Sequence, residues 1–139
     1  MPLTRLLSRA ARMALILLLA AQPLHAASDP VRLAVYPRFQ NAPATIRVTL
    51  IIERDASNRQ ACIDIEGDTG YSRSSCWEHV GDGARYQTVI YYPDLPAGHY
   101  SAIAEITRVS PKGERAVLRS LVFEFRLLGL GESPDPDAP

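Results

Sequence analysis

Two cysteines placed symmetrically about a turn constrain this chain more than any other feature. In Gln60–Val80, QACIDIEGDTGYSRSSCWEHV, Cys62 and Cys76 lie equally far from Thr69, in the middle of GDTGY. A hairpin folded about Thr69 sets Cys62 opposite Cys76, Ile63 opposite Ser75 and Asp64 opposite Ser74. Side chains along a strand alternate between faces. One face therefore carries Cys62, Asp64, Glu66, Ser72, Ser74 and Cys76, and the other Ala61, Ile63, Ile65 and Trp77, with Arg73 near the tip. The pattern predicts a buried Trp77 on the core side and a Cys62–Cys76 disulfide on the outer side.

A disulfide needs an oxidising compartment, and the start of the chain supplies a route to one. Arg5, Arg9 and Arg12 form a basic segment, Met13–Ala21 an apolar run, and Pro23 breaks that run before Leu24-His25-Ala26. This is the build of a secretory signal. The run of nine residues is far short of the ~20 that a membrane-spanning helix needs. Residues 1–26 are expected to be a signal peptide removed after Ala26 or one residue later, leaving a periplasmic or secreted chain with no membrane segment. The remaining 113 residues suit one domain. They carry 12 Arg plus Lys against 15 Asp plus Glu, a net charge of −3. No basic stripe of the kind nucleic-acid binders carry is present, so no nucleic-acid partner is expected.

The periodicity that follows is that of strands. After a linker over 27–30, Val31–Tyr36 alternates until Pro37, and Ala44–Arg54 alternates Ile46, Val48, Leu50 and Ile52 against Thr45, Arg47, Thr49, Ile51 and Glu53. Asp55–Asn58 reads as a loop, the cysteine hairpin adds two strands, and Gly81-Asp82-Gly83 turns the chain. Ala84–Tyr92, Tyr100–Val109 and Arg115–Leu127 are the remaining strands, separated by a Pro- and Gly-rich corner at 93–98 and a turn at 110–113. In the last strand Val117, Leu121, Phe123 and Phe125 are expected to face inward, with a bulge or edge position at Arg119, which interrupts them. Residues 129–139, rich in Pro and Asp, read as a disordered acidic tail. About seven strands and no amphipathic helix after the signal argue for a single all-β antiparallel sandwich over 31–128.

The stretch Tyr92-Pro93-Asp94-Leu95-Pro96-Ala97-Gly98-His99-Tyr100 resembles the E–F corner of immunoglobulin-like and fibronectin type III-like domains. The resemblance implies that Leu95 caps the core and that Tyr100 folds back to hydrogen-bond the backbone. It also implies strands A, B and E in one sheet and C′, C, F and G in the other, with Thr88, Ile90, Tyr92, Tyr100, Ala102, Ala104 and Ile106 pointing inward. The cysteines are 14 positions apart, so they cannot form the inter-sheet bridge of antibody domains. The likeness implies fold and says little of function.

Catalytic groupings are not assembled by the spacing. His79 and His99 each sit beside a turn without a second His or Cys at ligand distance, and both read as surface residues. No G-x-S-x-G or H-E-x-x-H motif is present. Asp64, Glu66 and Asp68 alternate as oxygen ligands for Ca²⁺ do, but a solvated outer face explains them more simply. No catalytic residue, metal site or cofactor is expected.

A contact surface is the better candidate. If Ile46, Val48, Leu50 and Ile52 face the core, then Arg47 and Ile51 face out. If Thr88, Ile90 and Tyr92 face in, then Val89 and Tyr91 face out beside them. Arg47, Ile51, Val89 and Tyr91, rimmed by Thr49 and Gln87, would form a patch that docks another protein or a second copy of the chain. The expected function is thus that of a non-catalytic exported module acting by protein–protein contact. One alternative is an enzyme inhibitor that uses the hairpin tip, Gly67–Tyr71; another is a carbohydrate-binding module that uses exposed tyrosines.

Overall fold

The computed structural model describes residues 29–132. The expected signal over 1–26, the first half of the linker and residues 133–139 of the expected tail lie outside the described residues. Nine strands form an all-β sandwich of two sheets, with no helix among the described residues. The smaller sheet has the order β1 (Val31–Tyr36), β3 (Ala44–Ile52), β6 (Gln87–Leu95). The larger has the order β2 (Phe39–Asn41), β9 (Phe123–Leu128), β7 (Gly98–Val109), β4 (Asn58–Gly67), β5 (Ser72–Glu78), with β8 (Arg115–Arg119) also paired to β7. The first, third and sixth strands thus share a sheet, as expected, opposite the hairpin and the last two long strands.

Alternation in the sequence becomes the core directly. Ile46, Val48, Leu50 and Ile52 from β3, Ala61, Ile63 and Ile65 from β4, and Tyr100, Ala102, Ala104 and Ile106 from β7 are all buried between the sheets. Fully burying a Val, Leu or Ile side chain contributes about 1.5–3 kcal/mol, and the seven of that size here (Ile46, Val48, Leu50, Ile52, Ile63, Ile65 and Ile106) are each no more than 1% exposed. Tyr92 and Leu95 are buried with them, and Ile90 packs on their margin.

The hairpin register is the predicted one, with Cys62 opposite Cys76 and Asp64 opposite Ser74. Gly67 N–H donates to the Tyr71 carbonyl at 2.8 Å, which makes 67 and 71 a hydrogen-bonded pair and places 62 and 76 at a non-hydrogen-bonded position. Antiparallel strands come closest at such positions, with Cα atoms about 4.5 Å apart. The Cys62–Cys76 disulfide spans a Cα–Cα distance of 4.1 Å there. Cys76 is exposed and Cys62 half-buried on the outer face.

Four expectations are corrected. Trp77 faces inward but is only half-buried, because it lies near the end of the edge strand β5, where its indole packs on the core from one side only. A short strand, β2, follows Pro37 and pairs in parallel with β9, so the chain crosses from one sheet to the other between β1 and β2. Residues 129–132, expected as the start of a disordered tail, turn back on the domain: Gly129 N–H donates to Glu132 Oε2 at 2.8 Å and Arg126 pairs with the same carboxylate at 3.7 Å.

The fourth correction concerns the last strand, which is two strands separated by an extra residue. Along β7, Glu105 pairs with Arg119 and Ala104 is bonded by Ser120, yet Ala102 pairs with Phe123. Two steps on β7 are matched by three on the facing segment, which is a β-bulge over 120–122. A one-residue slip exchanges the faces of a strand. Before the bulge Leu118 and Ser120 therefore point inward; after it Phe123, Phe125 and Leu127 do. Val117 and Leu121, expected inside, are 46% and 78% exposed. The Ser120 hydroxyl fixes the bulge by accepting from Ala104 N–H at 3.0 Å and donating to the Leu121 carbonyl at 2.9 Å.

Candidate contact surface

The predicted patch assembles on the outer face of the smaller sheet. Pairing of β3 with β6 sets Arg47 opposite Tyr91, Thr49 opposite Val89 and Ile51 opposite Gln87. Arg47, Ile51, Val89 and Tyr91 are therefore brought together on one face. The third strand extends it: β1 sets Tyr36 beside Arg47, Ala34 beside Thr49 and Arg32 beside Ile51. The face thus consists of three rows, and its top row runs Tyr36–Arg47–Tyr91 across the whole sheet.

The two tyrosines of that row are 66% and 63% exposed. Arg47 lies between them, its guanidinium carbon 5.5 Å from the centroid of the Tyr36 ring. At the opposite end Arg32 Nη2 donates to the Tyr86 hydroxyl at 3.0 Å. Ile51 is half-buried beneath this pair, lining a cavity of about 170 Å³ with Asp29, Pro30, Glu53, Arg32 and Tyr86. Ile51 is therefore the floor of one end of the face, while Val89 and Tyr91 stand clear of it. Tyr36, Arg32 and Tyr86 complete the surface and were not picked out from the sequence. The signal was present in VRLAVY, where Arg32, Ala34 and Tyr36 alternate against Val31, Leu33 and Val35.

The hairpin tip sits at the end of the sandwich away from Arg32 and Tyr86, against the corner between β6 and β7. Asp68 Oδ1 accepts from His99 N–H at 3.1 Å, and Tyr71 meets Tyr100 edge to face with ring centroids 5.6 Å apart. The ring of Tyr100 lies so close over Gly67 that a β-carbon there would come within 2.8 Å of it. Thr69 and Gly70 remain exposed at the apex. Asp68 is thus held by the corner rather than turned toward Asp64 and Glu66. Among the described residues, no three His, Cys, Asp or Glu side chains gather in a metal-binding arrangement.

The histidines separate in role. His99 is exposed beside the corner, as expected. His79 is not a surface residue: it is 4% exposed, and its backbone N–H donates to the Arg59 carbonyl at 2.9 Å. Burial holds its imidazole below the usual histidine pKa of 6.5, favouring the neutral ring. His79 borders a cleft of about 480 Å³ on the open flank between β5 and β6, lined also by Trp77, Ala84, Arg85 and Thr88. At the far end of the same flank the Arg73 guanidinium covers the ring of Tyr92 at 5.2 Å.

A buried polar node beside the His79 segment, where Gly81 N–H donates to the Asn58 carbonyl at 3.1 Å, also escaped the sequence reading. Asn58 is fully buried in what reads as a polar loop. Its Nδ2 donates to the Glu53 carbonyl at 3.0 Å, its Oδ1 accepts from Arg108 Nε at 2.8 Å, and Arg108 in turn pairs with Asp55 at 3.2 Å. The Ser57 hydroxyl and amide both donate to Asp55, and these bonds, with Arg108 nearby, hold its carboxyl below the ordinary carboxylate range.

No helix among the described residues is long and apolar enough to cross a membrane. No protein-family model, no curated protein and no solved structure matches the chain.

Proposed function

We propose that this chain is an exported, non-catalytic module of immunoglobulin-like or fibronectin type III-like build that works by protein–protein contact through the outer face of β1, β3 and β6. The observation that carries this reading is the Tyr36–Arg47–Tyr91 row, two largely exposed aromatics flanking a guanidinium across the three strands of the sheet. Tyrosine and arginine are enriched where binding energy concentrates at protein interfaces, whereas solvent faces of antiparallel sheets are ordinarily polar. The side chains on offer are aromatic rings, an aliphatic group and a guanidinium, which provide contact area and hydrogen bonds. The sheet memberships and the Tyr100 corner support the lineage. The disulfide and the basic–apolar N-terminal pattern support a periplasmic or secreted location.

Photo-crosslinking tests this reading. A crosslinking amino acid placed at Tyr36 or Tyr91 in the exported protein should yield a discrete protein adduct, and the same group at exposed Glu124 in the other sheet should not. Equal labelling from all three positions, or none, would reject the face. Saturable binding to glycans lost on Tyr36→Ala would move the reading to carbohydrate recognition.

A second reading, an inhibitor acting through the hairpin tip, is favoured by one observation: the tip is exposed at Thr69 and Gly70 while braced by the disulfide, by His99 and by Tyr100. Titration against a panel of periplasmic hydrolases, with Thr69→Trp as the blocked variant, distinguishes it from face binding.

A further inference from the structure

The edge of β6 can be resolved atom by atom. Ile52 N–H donates to the Tyr86 carbonyl at 3.0 Å in the β3–β6 register, so 52 and 86 are a hydrogen-bonded pair. Hydrogen-bonded and non-hydrogen-bonded pairs alternate along antiparallel strands. Thr88 and Ile90 therefore spend their backbone groups on β3, while the N–H and C=O groups of Gln87, Val89 and Tyr91 point away from it. Among the described residues no strand lies on that side.

Natural edges are blunted by charge, by proline or by shortness. The other edges follow this rule: β1 carries Arg32, β5 carries Arg73 and Glu78, β8 carries Arg115 and Arg119, and β2 is three residues long. The stretch Gln87–Tyr91, QTVIY, has none of these devices and is made of residues that favour strands. Its limits are set by Arg85 before it and by Pro93 and the Arg73–Tyr92 stack after it.

The free groups are self-complementary. Turned by a two-fold axis through Val89, the edge sets Val89 against Val89 of a second copy and Gln87 against Tyr91 of that copy. Every free N–H from 87, 89 and 91 then meets a free carbonyl, no like charges oppose each other, and the outer face becomes continuous over six strands. We infer that the partner of this sheet includes a second copy of the chain, joined by antiparallel pairing of the β6 edges about Val89. The inference rests on the reading that this sheet is a contact surface and narrows it to one edge and one partner.

Residue-resolved amide exchange of the purified protein, over a concentration series followed in parallel by sedimentation, tests it. At low concentration Thr88 and Ile90 should be protected and Gln87, Val89 and Tyr91 should exchange quickly. As dimer forms, these three should become protected together and the alternation should vanish. Val89→Lys, which places two like charges at the axis, should remain monomeric at every concentration. So should Val89→Pro, which removes a donor that β3 does not use. A chain that stays monomeric with fast exchange at 87, 89 and 91 overturns the inference, as does a dimer that leaves those amides unprotected. Position 36 lies on β1, away from the edge, so crosslinking from there reads the face alone: adducts from position 36 in the monomeric Val89→Lys variant support the face without the edge, and a dimer that gives none from position 36 supports the edge without the face.

Discussion

The hydroxyl of Tyr100 donates to the carbonyl of Pro96 at 2.7 Å, closing the corner between the two sheets over the buried side chain of Leu95. The Tyr100 ring is stacked on Phe125 at 5.1 Å and carries Tyr71 on its edge, so one side chain ties the corner to the hairpin and to the last strand. Tyr100→Phe keeps both ring contacts and removes only the hydrogen bond. Chemical denaturation should show a loss of about 0.5–1.5 kcal/mol, the net worth of one such bond, whereas Tyr100→Ala should cost several-fold more.

The disulfide closes a short loop, and in the chain-entropy account a 15-residue loop is worth about 3 kcal/mol. The Cys62→Ala/Cys76→Ala variant should fold to the same sandwich with stability lowered by up to that amount. Thiol labelling of the native, unreduced protein should find no free thiol. Two reactive thiols would contradict the bridge.

The bulge makes a paired prediction on adjacent residues. Leu118→Ala removes a side chain packed on the core and should cost about 2 kcal/mol. Val117→Ala removes an exposed one and should stay within about 0.5 kcal/mol of wild type. Equal costs, or the reverse order, would place the extra residue elsewhere in the strand.

Asn58 is buried with both ends of its amide engaged, so Asn58→Leu strands the Glu53 carbonyl and the Arg108 guanidinium. The expected loss is about 1–3 kcal/mol, the cost of a buried polar group left without its partner. Arg108→Met relieves only one of the two orphaned groups, so the double variant should recover part of that loss and not all of it.

His79 sets a pH dependence. Its folded-state pKa is depressed by burial, so below the ordinary value of 6.5 the unfolded chain binds a proton that the folded chain does not. Stability must then fall as pH drops below that value, and the decline from this group ends once pH passes the folded-state pKa. Midpoints of urea denaturation should decrease between pH 7 and pH 5 in wild type, and His79→Gln should flatten that segment of the curve. A wild-type curve flat over the same range would mean that His79 opens to solvent.

How far the sequence could be read depended on whether a residue marked its own register. The hairpin was legible because two cysteines and a Gly-Asp-Thr-Gly turn identify the same axis. The corner was legible because Leu95 and Tyr100 bracket a fixed turn. The last strand was not. Val117, Leu121, Phe123 and Phe125 share one parity and are all apolar, so they resemble one inward face, and Arg119 signals a break without saying which residue is extra. Trp77 and His79 were reversed in depth for a related reason. Alternation gives the direction of a side chain, but burial depends on what covers the strand, and β5 is an edge while the segment after it is tied to β4 through the His79 N–H and the Arg59 carbonyl. Half of the contact face followed from pairing β3 with β6. The other half, Tyr36 and Arg32, required the register of β1 against β3, which no turn or paired residue announces.

The position of β7 in the larger sheet governs the order in which an emerging chain can settle. β7 is the strand that β4, β8 and β9 all pair with, and β2 near the start of the domain is held by β9 at its end. The sheet therefore stays incomplete until residue 128 is present. The Cys62–Cys76 hairpin needs only residues 58–78 to close. In a chain that enters an oxidising space N-terminus first, the two cysteines are therefore free to bond while the last strand is still absent, and the covalent brace does not depend on the core that it borders.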